Sequence, residues 1–146
     1  MHVSVILTIR NESAHIKQCL DSIIHQSFQD FEIVIVDDNS TDNTLEVIRL
    51  FKDKRIRLYS ALEKELGHAS LRNYAVKKAR GKYIFFTDGD CVPHLNWITE
   101  GLKIFEKEDC VGVEGKTFYE SPKSLTVTDY HTQRLVPGGF MTCNVA

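Results

Sequence analysis

The chain has 146 residues, is 42% hydrophobic and sets 18 basic against 20 acidic residues, for a formal net charge of −2. That length supports one good core and a single domain, and the charge excludes a nucleic-acid binder that relies on a basic surface. No apolar run approaches the ~20 residues of a membrane span. Cys19, Cys91, Cys110 and Cys143 show no CxxC and no zinc-like spacing with histidine, so they read as reduced thiols of a cytoplasmic protein.

Strand and helix signals alternate. Residues 3–9 form a β-rich run with the continuous apolarity of a strand covered on both faces, reached without the basic stretch of a signal peptide. Ile16, Leu20, Ile23 and Ile24 then recur at helical spacing, with Asn11 or Ser13 as N-cap. A second strand covers 32–36, and Ser40, Thr41 and Asp42 offer caps for a helix turning Leu45, Ile48 and Phe51 inward. A short strand follows near 56–59. Leu71, Ala75 and Ala79 mark a third helix that Gly81 is expected to stop. A strand over 83–87 leads into Asp88-Gly89-Asp90. Leu95, Ile98, Leu102 and Phe105 trace a fourth helix, and 111–116 a further strand. Repeated βα units of this length imply right-handed crossovers and a mostly parallel α/β sheet flanked by helices. Residues 120–146 combine polar loop, a helix around 128–135, a turn at Pro137-Gly138-Gly139 and an abrupt stop, and they read as a chain cut inside a domain.

The chemistry concentrates after the strands. Asp88 and Asp90 bracket a glycine that permits a tight turn, and Asp37-Asp38 ends an earlier strand. If both strands run parallel in one sheet, the acidic pairs share the edge where open α/β sheets bind ligands. The carboxylates of Asp38 and Asp90 are then expected within about 12 Å, enough to span one nucleoside diphosphate. A diphosphate would be repelled by these carboxylates without a divalent cation, Mn2+ or Mg2+, between them.

The order of residues 3–12, then Val36-Asp37-Asp38-Asn39-Ser40-Thr41-Asp42, then Gly67 to Arg72-Asn73, then Asp88-Gly89-Asp90 resembles the inverting family 2 glycosyltransferases of the GT-A (Rossmann-like) fold. The resemblance implies a nucleotide-sugar-binding half over 1–118 and the start of an acceptor-side half over 119–146. It makes Asp90 the metal ligand of a DXD motif, with Asp88 on the ribose and on the metal through water, and Asp38 the acceptor for the imide N–H of uracil, with Asp37 nearby. Thr8, Arg10 and Glu12 correspond to the first nucleotide-binding loop, and Arg72 to a basic side chain facing ribose or phosphates. The family's catalytic base, in an acidic "ED" motif, is expected beyond Ala146, so the chain alone is expected not to turn over a sugar donor. The implied partners are a UDP-sugar donor and a carbohydrate or lipid-linked acceptor of cell-surface polysaccharide synthesis. Self-association as a homodimer and membrane association of a longer parent belong to the same expectation.

Each assignment has a plainer counterpart. Asp37 and Asp38 suit an Asp-rich cap; Asp88-Gly89 suits an ordinary turn; Glu12 suits a helix's first turn. Arg72 suits a solvated stripe with Lys77, Lys78, Arg80 and Lys82. His94 reads as a surface residue, and Trp97 as core edge. Among rival functions, a nucleotidyltransferase wants a Gly-rich basic loop after the first strand, which residues 8–12 lack. A dinucleotide oxidoreductase wants GxGxxG, which occurs nowhere. A non-catalytic binding module is the third rival.

Overall fold

A computed structural model describes residues 2–61, 67–107, 112–113 and 115. Strands β1 (Val3–Ile9), β2 (Phe31–Asp37), β3 (Ile56–Ser60) and β4 (Tyr83–Asp88) alternate with helices α1 (Ile16–Ile24), α2 (Thr44–Leu50), α3 (His68–Lys78) and α4 (Trp97–Lys107). The sheet order is β3-β2-β1-β4 and every pairing is parallel. The expected strand over 111–116 and the helix and turn beyond it lie outside the described residues.

Alternation along each strand decides what it faces. Val3, Val5, Leu7 and Ile9 join Ile33, Ile35 and Phe85 in a core closed by Ile16, Leu20 and Ile23 of α1, Ile48 of α2, and Ile98 and Leu102 of α4. The intervening residues Ile6, Val34 and Val36 meet Leu71 and Ala75 of α3 on the opposite face. The chain thus runs β1, β2, β3 in one direction and crosses back over the other face to β4, as right-handed crossovers require. The reversal point lies between β1 and β4, and at such a point loops diverge and leave a crevice at the strands' carboxyl ends.

The α3 face has an apolar middle and polar ends. At its amino end Glu32 is fully buried; Oε1 accepts from Ser4 Oγ at 2.7 Å and from the Arg80 N–H at 2.6 Å, and Oε2 from Arg57 Nη1 at 2.6 Å. Arg57 also donates to the Lys78 carbonyl at 2.9 Å, fixing the end of α3. Burial alone would raise the Glu32 carboxyl, but the bonds from Arg57, Ser4 and the Arg80 N–H outweigh it and hold it below its ordinary value.

Several local expectations change. α1 begins at Ile16 behind His15, which makes no side-chain cap; of the expected caps, Asn11 spends its Oδ1 on the Thr41 N–H and Ser13 is tied to Asp42 through its backbone N–H. For α2, Ser40 and Thr41 turn toward Asn11, and of the expected caps Asp42 alone bonds the helix, accepting the Thr44 N–H at 3.0 Å. Leu95 precedes α4 and is 54% exposed rather than inward; its carbonyl accepts the Ser27 N–H at 2.9 Å. Buried Gln26 instead closes the start of α4, accepting the Ile98 N–H at 3.1 Å and donating to the His94 carbonyl at 2.8 Å. Trp97 packs edge-on against Phe85 with ring centroids 5.1 Å apart, at the core edge as expected.

Gly81 does not stop α3, which ends at Lys78. It lies where the backbone crosses β1, and a Cβ there would meet Ser4 N and Val3 C at 2.5 Å. Those are backbone atoms that cannot swing aside, so Gly81→Ala is expected to cost about 2 kcal/mol or more. Chemical denaturation checks this: the midpoint should fall with an unchanged slope.

Candidate functional site

The parallel register sets the acidic residues on one edge. Thr8 pairs with Val36 on one side and Asp88 on the other, and Ile9 pairs with Asp37. Asp37 and Asp88 therefore both close the carboxyl edge, separated by two strand spacings or about 10 Å. The loop after β1 and the loop after β2 are stitched together above this edge. The Ile9 carbonyl accepts the Asp38 N–H at 2.8 Å, Ser40 Oγ the Asn11 N–H at 2.9 Å, Asn11 Oδ1 the Thr41 N–H at 2.8 Å, Thr44 Oγ1 the Glu12 N–H at 2.7 Å, and Asp42 Oδ2 the Ser13 N–H at 3.1 Å. Asn11 and Asn39 hold positive φ, 57° and 56°, a region that asparagine tolerates better than most residues. The Thr44 hydroxyl and the N–H groups on Asp42 lower its carboxyl well below the ordinary range. In the sequence this clamp leaves one visible trace, an asparagine shortly after each strand.

Within the clamp the paired aspartates differ. Asp37 is 2% exposed and its carboxylate accepts the Ser40 N–H, at 3.3 and 3.2 Å, which closes a tight turn after β2 and caps no helix, since α2 begins at Thr44. Asp38 is nearly buried, and its Oδ2 lies 3.6 Å from Nη1 of the exposed Arg10. Its Oδ1, like Thr8 Oγ1, is buried with no hydrogen-bond partner among the described residues.

On the far side of β1, the Asp88-Gly89-Asp90 turn packs on Glu12. A Cβ at Gly89 would lie 3.0 Å from Glu12 Cγ and from Ile9 Cγ2, so the glycine lets the turn press against the first loop. Burial and the nearby Asp90 charge raise the Glu12 carboxyl above its usual range. Burial likewise raises Asp88, against the opposing pull of Arg72. Arg72, far from being solvated, reaches from α3 to place Nη2 2.9 Å from Asp88 Oδ1. The Asp88 carbonyl accepts the Cys91 N–H at 3.2 Å and the buried Cys19 thiol at 3.4 Å. The Cys91 thiol, 3.6 Å from Asp90 Oδ1, is pushed up to about 12 by burial and by Asp90. His94 is exposed, as expected of a surface residue, and its Nδ1 accepts the Asn96 N–H at 3.3 Å. Among the described residues no three His, Cys, Asp or Glu side chains form a metal cage.

Thr8, Arg10, Glu12, Asp38, Arg72, Asp88 and Asp90 thus gather at the edge that the sequence indicates, in a parallel α/β domain. Solved glycosyltransferases share this architecture. S. aureus TarS 1–349, in complex with UDP-GlcNAc, matches with a TM-score of 0.68 and 27% identity over 82% of this chain and 39% of that one. The mannosyltransferase PcManGT from Pyrobaculum calidifontis, in complex with GDP-Man and Mn2+, gives 0.68 and 29% over 76% and 34%. The fold is GT-A. The profile of glycosyl transferase family 2 matches residues 4–141, and the chain belongs to that family. Glycosyltransferase AglE of Haloferax volcanii is 30% identical over 130 residues, 87% of this chain and 43% of its own length. The chain spans less than half the length of these relatives.

Proposed function

We propose that residues 1–118 form the donor-binding half of a transferase that moves a sugar from a UDP-sugar to a carbohydrate or lipid-linked acceptor, with inversion at the anomeric carbon, and that 119–146 begin the acceptor side. The carrying observation is a pair of buried oxygens at the carboxyl edge, Asp38 Oδ1 and Thr8 Oγ1, that have no hydrogen-bond partner among the described residues. An unsatisfied buried polar atom costs about 1–3 kcal/mol, and a ligand offering donors there recovers it. The imide N–H of uracil suits Asp38, held by the clamped loops, and a nucleoside reaching along the edge from it meets Thr8 and then Asp88.

The donor set also fits a divalent cation. Mg2+ and Mn2+ are commonly held by one or two carboxylates together with substrate phosphates rather than by an all-protein cage. Asp90 and Asp88 supply the carboxylates, and the mutual repulsion of Asp90 and Glu12 is what a cation would relieve. Its chemistry there would be Lewis-acid neutralisation of the departing diphosphate. Mn2+ in the PcManGT structure supports the same assignment. The base that takes the acceptor's proton is assigned to no described residue.

Isothermal titration of UDP with and without Mn2+ tests this reading. UDP should bind with Mn2+ and far more weakly without it, and Asp38→Ala should weaken binding by roughly 10-fold or more, the worth of a hydrogen bond to a charged group. GDP binding in place of UDP would reassign the base. No nucleotide binding, or binding indifferent to Asp38, would overturn the site.

A further inference from the structure

One partner of the charged Arg72 side chain, Asp88, is itself part of the proposed metal–diphosphate site. Its Nη2 lies 2.9 Å from Asp88 Oδ1, and both side chains are mostly buried, at 21% and 26% exposure. Asp88 shares the α3 face of the sheet with Thr8, its register partner, and that face brings it within reach of α3. The Gly89 contact simultaneously brings Glu12 against the turn that carries Asp90. The guanidinium therefore sits at one end of a group of carboxylates that otherwise repel one another.

We infer that Arg72 is an internal counter-ion of Asp88 that a divalent cation displaces, so that it restrains metal binding in the nucleotide-free protein and is released to meet the diphosphate. The inference rests on the reading of Asp88 and Asp90 as the metal–diphosphate site. A cation shared by Asp88 and Asp90 brings positive charge beside a guanidinium already paired with the same carboxylate, and the two compete. Phosphate oxygens offer the displaced fork an alternative of matching geometry. Arg72 thus acts on the metal through Asp88 and on the diphosphate directly, and metal and nucleotide are coupled because each favours the state in which the Arg72–Asp88 pair is open. Coupling of this kind typically amounts to 5–150-fold in affinity.

A purely structural clamp and a displaceable counter-ion differ in the sign of one effect. With Arg72→Met, the affinity for Mn2+ alone, read by electron paramagnetic resonance of the free ion, should rise about fivefold or more. UDP affinity at saturating Mn2+ should fall about tenfold or more. Arg72→Lys keeps a point charge near Asp88 and should leave Mn2+ affinity near the wild-type value while still weakening UDP. Thermal unfolding monitors the fold, and Arg72→Gln replaces the methionine variant if the latter unfolds. Unchanged or weakened Mn2+ affinity in a folded Arg72→Met or Arg72→Gln protein overturns the counter-ion role while leaving the site reading intact. Absence of Mn2+-dependent UDP binding in the wild type overturns both.

Discussion

Asp90→Asn is expected to lower Mn2+-dependent UDP affinity by at least ~100-fold while shifting the melting temperature little. Changes to residues that only orient metal ligands already cost ~10–100-fold, so the loss of the charge proposed to bind the metal directly should reach or exceed the top of that range. The substitution keeps the shape of the side chain and removes a charge that adds to burial in raising Glu12. Asp90 belongs to neither hydrophobic cluster, and its observed contact is the Cys91 thiol at 3.6 Å. Substitutions outside cores and buried networks usually stay within about 0.5 kcal/mol. Titration of UDP with Mn2+, paired with a melting curve, separates the two roles. Unchanged affinity removes Asp90 from the metal site, and a collapsed melting temperature makes it structural.

Glu32 should show the converse. It sits at the amino edge, at the opposite end of the strands from the proposed nucleotide site, yet ties β1, β2, β3 and the turn after α3 together through Ser4, Arg57 and Arg80. Removing one partner of a buried ion pair costs about 3–5 kcal/mol. Glu32→Gln, which preserves shape but turns an amide toward Arg57, is expected near the lower figure, a fall of roughly 10 °C in melting temperature. The pH dependence follows from its lowered carboxyl. Its stabilisation is fully present above the ordinary value of 4.5 and is lost as pH falls through the lower folded value. The gap between wild type and variant should therefore narrow on acidification. A loss under about 1 kcal/mol at neutral pH, or a gap that widens in acid, would contradict this account of the network.

What the sequence made legible is what period and chain order encode. Continuous apolar runs gave β1, β2 and β4, and helical spacing gave α1, α3 and α4. The end of each run placed Asp37, Asp38 and Asp88 on one edge once the sheet was taken as parallel. What it hid depends on partners distant in sequence. Glu32 reads as one acidic residue opening an apolar strand until β1 and β3 flank it with Ser4 and Arg57. Asn11 reads as a helix cap until the loop after β2 comes within 2.9 Å of it. Leu95 falls on the helical period of Ile98 and Leu102 but lies before the helix, because the Gln26 side chain fixes where α4 begins. Arg72 is one of several nearby basic residues in the sequence, and the geometry of α3 over β4 separates it from them. The pairing of Asp37 with the Ser40 N–H likewise depends on a tight turn that composition does not reveal.

The carboxyl edge between β2 and β4 is the proposed seat of the nucleotide diphosphate. A crystal structure of the chain with UDP and Mn2+, with anomalous data collected to locate manganese, tests it most directly. The account predicts a manganese peak within bonding distance of an Asp90 oxygen and of diphosphate oxygens, with the uracil imide nitrogen against Asp38 Oδ1. A manganese peak elsewhere, or UDP bound away from Asp38 and Thr8, would contradict it.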